Sequence, residues 1–163
     1  MRYNFERISV LLLEESSLGM AILVQLLKSC GALNIHQCMS VAEAEKVVAT
    51  TSLDLMIVDS LGTSGAGYDF VKWFRNSGIK PNCYIPVLLI AARTSSSAIN
   101  KARDCGANLV MAKPVGPTAL VERIAWISRE GQLFVESESY VGPDRRFRTG
   151  GLPMGIVGRR HDD

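Results

Sequence analysis

Lysine is absent from the last 32 residues of this 163-residue chain, although the same segment holds five arginines. A segment that served only to keep the chain in solution would mix both basic residues. Arginine carries a planar, permanently charged fork, which grips a phosphate or a purine edge through two parallel hydrogen bonds. The absence of lysine therefore argues against a merely solubilising tail and favours a nucleotide-like ligand. The five residues are Arg145, Arg146, Arg148, Arg159 and Arg160.

Net charge is also absent from residues 132–163, because five acidic residues balance the five arginines. Bulk DNA binding needs a net positive surface that displaces counterions. No helix-turn-helix pattern follows the preceding part of the chain either. We therefore expect no DNA partner.

The four cysteines show no CxxC spacing and no cluster with His36 or His161. This excludes the usual zinc motifs and favours small buried thiols in a reducing cytosol. No run approaches the roughly 20 apolar residues of a membrane span. Charges at Arg2, Glu6 and Arg7 interrupt any signal-peptide pattern. We expect a cytoplasmic protein with no membrane insertion.

What the chain does contain is a strict alternation of apolar runs and helix-period stretches. Short, wholly apolar runs suit strands buried on both faces of a parallel sheet, and the alternation implies right-handed crossovers with helices on both faces. We predict an α/β fold over residues 1–131, a (βα)5 doubly wound five-stranded parallel sheet, with an irregular tail over 132–163. The strands are predicted at 8–13, 34–39, 53–58, 85–91 and 108–112, and the helices at 17–30, 41–50, 68–76, 95–105 and 118–129.

Four sequence features fall at the carboxyl ends of the predicted strands, where ligands bind in such folds. Glu14-Glu15 follows the first strand, Asp59 the third, Ala91 the fourth and Lys113 the fifth. Carboxylates together hold hard cations such as Mg²⁺, so Glu14, Glu15 and Asp59 form a weak candidate metal site. Asp59 would then be a carboxylate nucleophile for phosphoryl transfer, with Lys113 stabilising the charge.

These motifs resemble the CheY-like receiver (response regulator) family over roughly residues 7–129. LLLEES at 11–16 fits the acidic pair, DLMIVD at 54–59 the phospho-acceptor strand, and GANLVMAKP at 106–114 the fifth strand. Gly67, eight residues after Asp59, stands where the family expects it. The resemblance implies a flavodoxin/CheY-like fold, two-component signalling and a cis Lys113-Pro114 bond.

Several positions depart from the family pattern, among them Gly62-Thr63, which replaces the Met-Pro that follows the acceptor in the family. The pair Glu14-Glu15 replaces Asp-Asp or Glu-Asp, and Glu15 is one methylene too long for ready magnesium geometry. Ala91 stands where the family has a hydroxyl that bonds the phosphoryl oxygens, and Val110 aligns with the aromatic coupled to it. Asp59 thus remains a candidate phospho-acceptor without the usual means of reading its phosphate, so we expect the main signal to enter elsewhere.

The tail holds the motif YVGPDRRFR at 140–148 and a shorter echo, IVGRRHD, at 156–162. Its glycines and prolines predict neither helix nor strand, and we expect disorder without a ligand. Arginine bonds guanine O6 and N7, and a carboxylate such as Asp144 accepts from the guanine N1–H and amino group. Tyr140 or Phe147 would stack on a base. The chemistry predicts a guanine dinucleotide with two phosphates.

This motif is similar to the tail of the Cle class, CheY-like proteins that bind cyclic di-GMP through an arginine-rich segment. The resemblance implies a non-enzymatic second-messenger effector that binds an intercalated dimer of cyclic di-GMP. It also implies a protein partner at the flagellar motor switch, a role in motility and chemotaxis, and recruitment to the flagellated pole. The implied ligand-binding residues are Tyr140, Asp144, Arg145, Arg146, Phe147, Arg148, Arg159 and Arg160.

Two questions stay open at this point. The chain could instead be a stand-alone response regulator that is phosphorylated on Asp59 and uses its tail as a docking peptide. Trp126 belongs to the region that docks targets in receivers, where it is either a partner anchor or a side chain packed on the sheet.

Overall fold

A five-stranded parallel sheet lies at the centre of the computed structural model, which describes residues 5–129 and 134–144. Its strands are β1 (Ser9–Leu13), β2 (Asn34–Cys38), β3 (Leu55–Asp59), β4 (Val87–Ala91) and β5 (Leu109–Ala112), in the order β2-β1-β3-β4-β5. The helices are α1 (Ser17–Ser29), α2 (Val41–Thr50), α3 (Ala66–Asn76), α4 (Ser96–Cys105) and α5 (Pro117–Arg129). The predicted (βα)5 doubly wound fold is confirmed.

The two faces of the sheet are covered by different helices, because successive strand side chains point to opposite faces. On one face, Val58 and Leu89 pack with buried residues of α2, α3 and α4. On the other, Ile57 and Ile90 pack with buried residues of α1 and α5. Trp126 is half-buried against this second cluster, which favours its packing role over a free anchor.

Serine residues begin three of the helices. Ser16, Ser40 and Ser95 precede α1, α2 and α4, and each side-chain oxygen accepts a hydrogen bond from the N–H three residues later. Such a cap contributes about 1 kcal/mol. The Glu43 carboxylate reaches back to the N–H of Met39 at 2.7 Å, so the start of α2 is held from both sides.

The element boundaries differ slightly from the sequence prediction. β4 begins at Val87 rather than at residue 85, because Pro86 has no N–H to donate to a ladder. β3 begins at Leu55 and α3 at Ala66, each shifted by two residues from the prediction. In the described ranges, no helix is both long and apolar enough to cross a membrane.

The largest difference lies in residues 134–144. They form an antiparallel hairpin of β6 (Phe134–Glu136) and β7 (Val141–Pro143), where the sequence predicted neither helix nor strand. The N–H of Ser137 donates to the carbonyl of Tyr140 at 2.8 Å and closes the turn. The prediction of an irregular tail is therefore wrong for these residues, and residues 145–163 lie outside the described part of the chain.

Candidate functional site

Three ionisable side chains meet at the carboxyl ends of β1, β3 and β5. The Nζ of Lys113 lies 2.6 Å from Oδ2 of Asp59 and 3.2 Å from Oε2 of Glu14. Glu14 and Asp59 are 2% and 5% exposed, whereas the Lys113 side chain remains 42% exposed. One ammonium group therefore serves two buried carboxylates, as the predicted convergence of strand ends requires.

Burial and pairing act on Lys113 in opposite directions. Burial lowers the pKa of Lys113, but hydrogen bonds with Asp59 and Glu14 and the charges of both carboxylates raise it by more. The net effect is a pKa above the ordinary lysine value. Lys113 is consequently a permanent cation at neutral pH.

The second oxygen of each carboxylate is held by the backbone. Oδ1 of Asp59 accepts a hydrogen bond from the N–H of Leu61 at 2.7 Å, and Oε1 of Glu14 accepts one from Ser16 at 3.0 Å. Leu61 has a φ of +58°, a left-handed conformation that is uncommon for a residue with a branched side chain. The loop after β3 is thus bent so that the N–H of Leu61 points back at the Asp59 carboxylate.

Gly67 sits where the start of α3 crosses the end of β3. A Cβ added to Gly67 would overlap the carbonyl oxygen of Asp59 and lie 2.8 Å from the Cα of Ser60. Only glycine lets the helix approach this closely. The spacing of eight residues between Asp59 and Gly67 therefore has a steric cause.

The structure does not assemble the predicted metal ligands. Glu15 is exposed, whereas Glu14 and Asp59 are buried on Lys113. Among residues 5–129 and 134–144, no three His, Cys, Asp or Glu side chains are placed to hold a metal ion together. The Lys113 ammonium pairs with both buried carboxylates, so the donor set of Glu14, Glu15 and Asp59 does not fit Mg²⁺ in this arrangement.

The two positions expected to lack switching groups lie in the apolar core. Ala91 ends β4 and is 3% exposed, and Val110 in β5 is 8% exposed. Both belong to the same cluster of buried hydrophobic residues. The Lys113-Pro114 bond that follows β5 is cis, as the resemblance implied.

Residues 10–125 match the response regulator receiver domain. The chain belongs to this family. It is a receiver with the CheY-like fold, and the family places it in two-component signalling. Members of the family typically bind Mg²⁺ for phosphorylation, which makes the poor fit of Glu15 in this receiver a departure. No curated protein matches the chain.

Solved structures confirm the fold. Chemotaxis protein CheY4 of Vibrio cholerae shares 21% identity at a TM-score of 0.67, with 74% of this chain and 98% of that one covered. A putative response regulator of Chloroflexus aurantiacus shares 26% identity at a TM-score of 0.66, over 74% and 96% of the two chains. A response regulator of Thermotoga maritima shares 21% identity at 0.64, again over 74% and 96%.

A second polar arrangement, which the sequence did not predict, lies at the opposite edge of the receiver sheet. Arg75 near the end of α3 is only 2% exposed. Burial lowers the pKa of Arg75 to about 10. Its fork donates hydrogen bonds of 2.7 to 2.9 Å to the carbonyl oxygens of Cys83, Ile85 and Gly106 and to Oδ1 of Asn108. These loops precede β4 and β5, so Arg75 ties the amino ends of both strands to α3.

The hairpin closes over this arginine. The Phe134 ring lies 4.7 Å from the guanidinium carbon of Arg75, a cation–π contact. Tyr84 meets Phe134 edge-on at 5.2 Å, and its hydroxyl donates to Oε1 of Glu136 at 2.6 Å. Strand β6 is therefore fixed to the domain by one cation–π contact, one edge-to-face ring contact and one hydrogen bond.

Strand β7 approaches the domain backbone to backbone. A Cβ on Gly142 would lie 2.9 Å from the Cα of Gly106, and a Cβ on Gly106 would lie 2.7 Å from the carbonyl oxygen of Val141. Gly106 also has a φ of +102°, which favours glycine at the end of α4. The two glycines together permit the close approach of β7 to the C-cap of α4.

Only two of the predicted ligand-binding residues are in the described part of the tail. The Tyr140 hydroxyl donates to the carbonyl of Pro143 at 2.9 Å, so this residue supports the hairpin. Asp144 is half-buried directly after β7. The other six, Arg145, Arg146, Phe147, Arg148, Arg159 and Arg160, lie outside the described residues.

Proposed function

We propose that this receiver is a non-enzymatic signalling protein that binds cyclic di-GMP through its arginine-rich tail and then engages a protein partner. The flagellar motor switch is the candidate partner, and the cytoplasm next to the flagellated pole the candidate location. The observation that carries the proposal is the sequence Asp144-Arg145-Arg146-Phe147-Arg148, which begins directly where the docked hairpin ends.

The chemistry of this sequence matches a guanine dinucleotide. Two adjacent guanidinium forks offer paired donors for guanine edges or phosphate oxygens, while the Asp144 carboxylate offers acceptors only. Phe147 supplies a face for stacking, and Arg159-Arg160 supplies a second pair of forks. The absence of net charge in the tail argues for a small ligand with few phosphates rather than for a nucleic acid.

The strand-end site supports a signal that enters through the tail. Ala91 has no hydroxyl to bond a phosphoryl group, and Val110 has no ring to reorient. A phosphate on Asp59 would therefore lack the side chains that pass its presence on.

Isothermal titration calorimetry with cyclic di-GMP tests the proposal on three chains. The full chain is expected to bind, the chain ending at Asp144 not to bind, and Arg146→Ala to bind about tenfold more weakly or worse. Arg93→Ala, which removes an exposed arginine from the domain, serves as the matched control and keeps the wild-type affinity. Equal binding by the shortened chain would contradict the proposal.

The alternative is a phospho-accepting response regulator, which the Asp59–Lys113 pair favours. Acetyl phosphate with Mg²⁺, on wild type and on Asp59→Asn, measures whether Asp59 is labelled. Beryllofluoride with Mg²⁺ then separates the two functions, because our proposal expects small amide shifts over residues 91–113. Large shifts in that range would favour the alternative.

A further inference from the structure

The hairpin and the arginine segment are covalent neighbours. β7 ends at Pro143, and only Asp144 separates it from Arg145. Asp144 is half-buried directly after β7, so a docked hairpin holds the residue before Arg145 in a defined place. A ligand bound to Arg145 would therefore lie two residues along the chain from the end of β7.

β7 rests on Gly106, the residue that caps the carboxyl end of α4. The N–H of Gly106 caps this helix by donating to the carbonyl of Arg103, and the N–H of Ala107 donates to Ala102 at 3.0 Å. Gly106 is also the residue that Gly142 touches. A shift of β7 is consequently felt at the carboxyl end of α4 and at the start of β5.

Docking of the hairpin carries an electrostatic cost as well as a gain. All four hydrogen-bond acceptors of Arg75 belong to the five-unit domain, and in residues 5–129 and 134–144 Arg75 has no ion pair with a carboxylate. Phe134 keeps water from a charge that is costly to bury. Release of the hairpin would let water solvate the Arg75 guanidinium. The free energy gained by this solvation offsets part of the loss of the cation–π contact with Phe134. The docking equilibrium is therefore one that a ligand can shift.

We propose that the β6–β7 hairpin is a latch that couples the arginine segment to the carboxyl end of α4. The docked latch holds the start of the ligand site in place, which lowers the ordering cost of binding. By reciprocity, ligand binding tightens the latch by the same factor. This coupling rests on the proposed function, because it requires a ligand in the tail.

Amide hydrogen exchange without ligand tests the latch itself. Phe134→Ala is expected to speed exchange about tenfold at Ser137 and Gly106, whose N–H groups bond within the hairpin and at the α4 cap. Gly142→Ala, which drives a methyl group against the Tyr140 ring within the hairpin and against Gly106, is expected to act in the same direction. Val135→Ala alters an exposed side chain of the same strand and leaves exchange unchanged. Wild-type exchange in both Phe134→Ala and Gly142→Ala would refute the latch.

Cyclic di-GMP then tests the coupling on the full chain. We expect slower exchange at Ser137 and Gly106 in the wild type, and an affinity several-fold weaker in Phe134→Ala than in Val135→Ala. Calorimetric binding without any change at these amides would overturn the coupling and leave the proposed function intact. Absence of binding would overturn the proposed function and the coupling together, while the exchange without ligand still decides whether the latch exists.

Discussion

Lys113 supplies the positive charge of the strand-end site, where its ammonium group pairs with both Glu14 and Asp59. Its raised pKa means that the folded state holds the proton more tightly than the unfolded chain does. The stabilisation is complete below the unfolded lysine pKa of about 10.4 and is lost as pH rises through the higher folded value.

The first prediction concerns this charge. Wild type is more stable than Lys113→Met between about pH 6 and pH 9, and the difference narrows above about pH 10.5. Urea unfolding at several pH values measures the difference. Lys101→Met removes a charge from an exposed position on α4 and shows no such gap at neutral pH. A stability difference between wild type and Lys113→Met that widens above about pH 10.5 would contradict the stabilising role of the Lys113 charge.

The second prediction concerns Gly67. Gly67→Ala is expected to destabilise the domain by about 1–3 kcal/mol, because the added methyl group meets the backbone of Asp59 and Ser60. Gly116→Ala is the matched control, since a Cβ there meets nothing within 4 Å. It should change the free energy of unfolding by no more than about 0.5 kcal/mol. Similar losses in both variants, measured by urea unfolding, would show that the contact at Gly67 is unimportant.

Single residues also show how far a sequence predicts a site. Glu14, Asp59 and Lys113 were predictable because each directly follows an apolar run, and parallel strands end at one edge. Glu15 was not, because neighbouring side chains point in different directions and only Glu14 turns inward. Arg75 lies four residues after Val71 on the apolar face of α3, which was the available signal for its burial.

At the scale of elements, α3 and the loops before β4 and β5 depend on one guanidinium group. The third prediction is that Arg75→Met lowers the free energy of unfolding by about 2–4 kcal/mol, because it removes the side-chain donor of three carbonyls and one of the two donors to Oδ1 of Asn108. Chemical denaturation measures this loss. Lys72→Met, an exposed change on the same helix, is the control. A loss for Arg75→Met no larger than the control would argue that water replaces the guanidinium without penalty.

The elements of the domain were predictable from periodicity, whereas the hairpin was not. Phe134–Glu136 and Val141–Pro143 are three residues each, too short for alternation to stand out, and one contains both glycine and proline. Their strand conformation comes from tertiary contacts with Arg75, Tyr84 and Gly106. A local pattern cannot report contacts of that range.

Across the whole molecule, the two polar arrangements occupy opposite edges of the sheet. Asp59 and Lys113 lie at the carboxyl ends of the strands, while Arg75 binds the loops at the amino ends of β4 and β5. Five residues of β4 separate the edges by about 15 Å. The fourth prediction is that the losses of Lys113→Met and Phe134→Ala add to within about 0.5 kcal/mol in the double variant. A coupling above about 1 kcal/mol, measured in a double-mutant cycle, would mean that the edges communicate through the sheet.

The position of Phe134 has a practical consequence for how the chain can be shortened. Truncation after residue 131, where the periodic pattern stops, would remove the Phe134 ring that covers Arg75. The guanidinium group of Arg75 would then lose its cover on that side. A cut after Asp144 would keep the hairpin and delete all five tail arginines. Loss of ligand binding by the chain cut at residue 131 would combine damage to the fold with removal of the ligand segment. The chain cut after Asp144 tests the contribution of the arginines alone.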